Sequence, residues 1–146
     1  MDIQRYLDNY FQTKDIPFIV GTKVVQNLFQ NADVLQSNNV HFFCDPIQRR
    51  PTRNQFGKET GYTATLNFCL CVTSVLDMPY MNETNQLIEN KFSTNIEPII
   101  QVWNGIVKDF GCAGFDISNE SYVDTINVKD VNFDGIIGTV TLKSYE

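Results

Sequence analysis

The chain has 146 residues, 42% of them apolar, with eleven Phe, six Tyr and one Trp, enough to build the core of one globular domain without metal or disulfide support. Eleven basic against seventeen acidic residues leave a formal charge of −6, which excludes bulk attraction to nucleic acid or an anionic membrane while leaving room for a local basic patch. Apolar runs such as Phe68 to Val72 fall far short of the roughly 20 residues that cross a bilayer, and residues 1–10 lack the basic start and apolar centre of a secretory signal, so a soluble chain with reduced thiols is expected.

Asp2 is a candidate N-cap, and Ile3, Tyr6, Leu7, Tyr10 and Phe11 recur at the spacing of one helical stripe, predicting a helix over 3–13. Pro17 precedes a short extended run, Phe18-Ile19-Val20, closed by Gly21. Thr22 is placed to cap a short helical turn over Val24, Val25, Leu28 and Phe29, although their β-branching leaves that assignment open, and the polar stretch 30–39 reads as a loop. Val40 to Cys44 reads as a strand stopped by Asp45-Pro46. Residues 47–61 carry Arg49, Arg50 and Arg53, two glycines, a proline and hardly any apolar side chain, and predict a long exposed loop or a flexible hairpin tip.

Tyr62, Ala64, Leu66, Phe68, Leu70 and Val72 alternate with polar residues or cysteine, the pattern of a long half-buried strand. Pro79 closes the next connection, and Asn82 with Glu83 starts a helix that turns Leu87, Ile88 and Phe92 inward. Ile96, Ile99, Ile100, Trp103, Ile106, Val107 and Phe110 keep helical spacing as far as Gly111, a candidate terminator. Pro98 either kinks this helix or makes it restart with Asn95 as a new N-cap. Tyr122, Ile126 and Val128, then Asp134-Gly135, then Ile136 to Leu142 read as two strands joined by a turn. The expected fold class is therefore α+β in a single domain over 1–146. An antiparallel or mixed sheet is packed by one long helix, kinked or restarted at Pro98, and a short N-terminal helix, with a long arginine-bearing loop.

Few residues point to chemistry. Asp130, Asn132, Asp134 and Gly135 reproduce the first half of a calcium loop, but the position that needs a bidentate Glu is Thr141 and the flanks read as strand, so no metal is expected. His41 is the sole histidine and sits beside Phe42 and Phe43, where a strand role competes with that of a general base. Cys44 is three residues away, and strand alternation puts the two on opposite faces. Cys69 and Cys71 share a face but lack a second thiol pair at zinc spacing, and Cys112 stands alone. Arg49, Arg50 and Arg53 offer planar, bidentate donors for carboxylate or phosphate, so protein docking, phosphate contact and an ordinary solvated surface all stay open for them. Asn82 and Asn119 begin glycosylation triplets that carry no weight without a secretory signal.

A short N-terminal helix, a Pro-bounded strand, the arginine-bearing segment, the alternating strand from Tyr62 to Phe68, the helix from Ile96 to Phe110 and the closing run Phe133 to Leu142 follow one another in an order that resembles small tailed-phage structural proteins. The resemblance is to tail-terminator and tail-completion (neck) proteins. It implies a non-enzymatic subunit of an oligomeric ring, a hexamer by family habit, that joins tail tube to connector and binds other tail or neck proteins. It also implies assembly in the host cytoplasm into a virion, without cofactor or membrane and with nucleic acid reached only in the ring lumen. On that resemblance the segment Gln48 to Lys58 is an inter-subunit or lumen-facing arm. Two other classes stand beside it: a small intracellular α+β interaction or regulatory domain, and a hydrolase or metal-dependent enzyme using His41, Cys44 or Asp130 to Asp134.

Overall fold

The computed structural model describes residues 2–21, 40–73, 90, 92–128 and 133–145. The helical turn expected over 24–29, the loop 30–39, the helix start at Asn82 and the calcium-loop residues Asp130 and Asn132 lie outside the described residues.

Helix α1 (Ile3–Thr13) starts as its sequence predicts, with the Asp2 carboxylate accepting from the backbone N–H of Gln4 (3.0 Å) and Arg5 (3.4 Å). Those donors have no partner inside the helix, which is why an acidic cap stabilises the start. Ile3, Leu7 and Phe11 form its buried stripe. Phe11 stacks on Phe18 and Phe42 at centroid distances of 5.1 and 4.5 Å, fastening the helix to strands β1 (Phe18–Val20) and β2 (His41–Cys44).

The spine of the sheet is β4 (Glu59–Thr73), which pairs antiparallel with β2, with β3 (Gln48–Arg53) and, along 13 residues, with β6 (Phe133–Tyr145). The order is β1-β2-β4-β6-β5, with β5 spanning Asp116–Val128 and β3 beside the first half of β4. Among the described strands only β1 with β2 is parallel, so the sheet is mixed and the fold is α+β. The alternation read from 62–72 holds: Tyr62, Ala64, Leu66, Phe68 and Leu70 are buried on the face covered by the two helices.

The main helix, α2 (Glu97–Cys112), buries Ile99, Trp103, Ile106 and Phe110, and Trp103 stacks on Phe68 at 4.2 Å. The α-helix starts anew at Glu97-Pro98, as the restart reading has it, but without Asn95 as its cap. Pro98 occupies the first turn of α2, where its missing N–H leaves no hydrogen bond unmade, behind a single π-helical turn at Phe92–Ile96. Asn95 is not the cap; it lies in that π turn and donates to Asp134. Nor does Gly111 end the helix: the chain leaves at Gly114, with a left-handed φ of 99°, and Phe115 N–H bonds back to the Phe110 carbonyl. The turn expected at Asp134-Gly135 is also displaced, because both residues lie inside β6, opposite Val72 and Cys71.

Candidate interaction surface

The arginines expected on a long loop lie on strand β3, all six residues of which are exposed. Sequence reasoning saw a loop because Gln48–Arg53 has no apolar alternation. Pairing with Glu59 to Thr65 supplies the strand through backbone hydrogen bonds, with one more from the Thr60 hydroxyl to the Thr52 carbonyl. The hairpin reading of this segment is the nearer one, and its tip is built by residue Asn54. The Asn54 side-chain oxygen accepts from the N–H groups of Phe56 (2.9 Å) and Lys58 (3.0 Å), and its carbonyl accepts from Gly57 N–H (3.0 Å). Gly57 takes a φ of 81° that favours glycine, and Arg53 donates to its carbonyl at 3.0 Å. The result presents Phe56, 84% exposed, at the apex. Arg49 reaches back 3.4 Å to Asp2 on α1, and a depression of about 190 Å³ lies between Arg49, Pro51, Arg53, Glu59 and Tyr62.

On the opposite side of the sheet, β5 is the edge strand, interrupted by bulges after Ser118 and Thr125. Directly opposed residues of an antiparallel pair share a face. The face turned away from the helices therefore carries Thr63, Thr65, Thr139 and Thr141 in one half and the cross-strand pair Val123 and Ile137 in the other. Val123 is 67% and Ile137 42% exposed, with Ile126 exposed nearby. Sequence reading passed over this patch, although Ile137 stands on the polar side of the β6 alternation and is the one signal that pointed to it.

Charge separates the two regions. Residues 48–58 carry Arg49, Arg50, Arg53 and Lys58 and no acid, whereas β5 carries Asp116, Glu120 and Asp124 and no base. A chain of net charge −6 thus gathers a local positive surface on one side of its sheet and a negative one on the other.

The remaining candidates do not converge. His41 and Cys44 lie at opposite ends of β2, paired with Cys71 and Phe68, and face different sides. His41 is buried beside Phe43 and Phe133. Burial, and then the Asp45 charge, push the Cys44 thiol up to about 12, so it is neither an acid nor a nucleophile near neutrality. Cys69 and Cys71 share a face as alternation requires and pack with Phe43 and Phe133 in a second, smaller core. Asp134 is fully buried on the helix-packed face and accepts from the Asn95 amide at 3.0 Å, an internal pair between β6 and the turn before α2. Among the described residues no three His, Cys, Asp or Glu side chains group as metal ligands. One polar cluster escaped the sequence reading because its members are 99 positions apart. The Tyr10 hydroxyl donates to Asp109 at 2.6 Å and Lys14 approaches the same oxygen at 3.4 Å, latching α1 to α2.

Comparison of the chain with protein-family models, with curated proteins and with solved structures gives no match.

Proposed function

We propose that the chain is a non-enzymatic structural subunit that works by assembling with copies of itself and with neighbouring proteins, as a ring-forming tail-terminator or neck component of a tailed phage. The observation that carries this reading is the contrast across one sheet, a braced basic hairpin on one side and an acidic, partly apolar edge on the other. Unlike surfaces at separate places make head-to-tail contacts, and head-to-tail contacts that close make rings. The order of elements resembles that of the phage proteins, and the arm implied by that resemblance falls on the hairpin.

Mass photometry over a concentration series, with negative-stain imaging, tests the reading. Closed rings of one size are expected. A chain that stays monomeric across the series and instead forms a one-to-one complex with a single unrelated protein rejects it in favour of a small interaction domain.

A further inference from the structure

Resting on the assembly reading, we infer that the contact between neighbouring copies seats the Phe56 tip of one chain on the Val123 and Ile137 patch of the next. Single exposed apolar residues are ordinary on protein surfaces; here four observations coincide. Phe56 is 84% exposed at the apex of a turn held by the Asn54 side chain, so presenting it costs little further ordering. Val123 and Ile137 lie directly opposite each other on two strands, a flat apolar seat next to the buried Cys69 that Ile137 pairs with. The tip is flanked by Arg53 and Lys58, and the strand that supplies Val123 carries the exposed Glu120 three residues before it, whereas Asp124 pairs with buried Ile136 on the other face and Asp116 pairs with Lys143 farther along β6. An aromatic anchor in an apolar seat with opposite charges at the rim is the arrangement from which protein contacts draw most of their affinity and orientation.

The fourth observation is separation. Arg53 pairs with Glu59 at one end of β4, whereas Ile137 pairs with Cys69 ten residues along it. At about 3.3 Å per residue that is roughly 33 Å, so tip and seat within one chain do not meet, and this tip reaches such a seat only on a second copy. The contact is heterologous: each copy offers one tip and one seat.

Two full-length chains test it, both with the exposed Cys112 changed to Ser, one bearing Phe56→Cys and the other Val123→Cys. Mixed under oxidised glutathione, they are expected to form a one-to-one disulfide-linked dimer at least tenfold faster than a control mixture in which Gln101→Cys, on the exposed side of α2, replaces Val123→Cys. If the wild-type chain assembles but this pair links no faster than the control, the contact is overturned while the assembly reading stands. If the wild-type chain is monomeric and the pair links no faster than the control, both fall. A Val123→Cys chain that links mainly to itself also overturns the contact, because the seat then packs on its own two-fold mate.

Discussion

Gly135 is the third residue of β6, where the neighbouring backbone comes too close for anything larger: a Cβ there would fall onto the Leu70 carbonyl and within 2.7 Å of the Cys71 Cα. Gly135→Ala is expected to destabilise the chain by about 1–3 kcal/mol, the usual cost of forcing an atom into a closed packing, read as a lowered urea midpoint. In sequence the Asp-Gly pair was indistinguishable from a turn, since a glycine that makes room and a glycine that bends the chain leave the same letter. The cysteines are expected to separate by reagent access. Cys112 should be alkylated within the native protein, whereas Cys44, Cys69 and Cys71 should react only with added denaturant, as peptide mass analysis will record. The hydrogen bond from Tyr10, with Lys14 close by, holds the Asp109 carboxyl below its ordinary value. A carboxyl depressed in the folded state stabilises above its unfolded pKa and loses that contribution as the pH falls through the folded one. Tyr10→Phe should therefore flatten the loss of stability below about pH 4, measured by thermal unfolding across an acid series. At the alkaline side the sign reverses. Burial, and then the bond to Asp109, raise the Tyr10 hydroxyl above its ordinary value, so its contribution is lost as the pH climbs past about 10.

Elements whose side chains meet the core on one side were legible in the sequence. Helix α1, the alternating half of β4 and helix α2 each show a single periodicity, because each buries one face. β3 was not legible, since an exposed strand held mainly through its backbone imposes no apolar pattern. β5 was recovered only from Tyr122 onward, because its bulges break the alternation and its first residues are exposed. The same reasoning divides the candidate site: exposed arginines announce themselves, but an apolar patch exists only once β5 and β6 are set in register. For α1 the expected weak point is its start. Asp2→Ala removes the cap and the Arg49 contact together, and should cost about 1 kcal/mol, seen as a lower thermal midpoint.

For the whole molecule, the division of charge between hairpin and edge strand makes assembly sensitive to salt. The screening length falls from about 10 Å at 0.1 M to about 3 Å at 1 M, so oligomers should dissociate as sodium chloride is raised, a shift that light scattering follows directly. An assembly held by apolar contact alone would resist that change or tighten. The sheet order has a further consequence, for the time at which the molecule comes into being. β6 is the last of the described strands, yet it lies between β4 and β5, and its partners along β4 are 60 (Thr73 with Phe133) to 84 (Gly61 with Tyr145) positions away in sequence. Pairings so distant close slowly. A chain emerging from the ribosome holds β5 without its β6 neighbour and β4 with one side open until residue 145 has been made, so these two long ladders stay unformed up to that point.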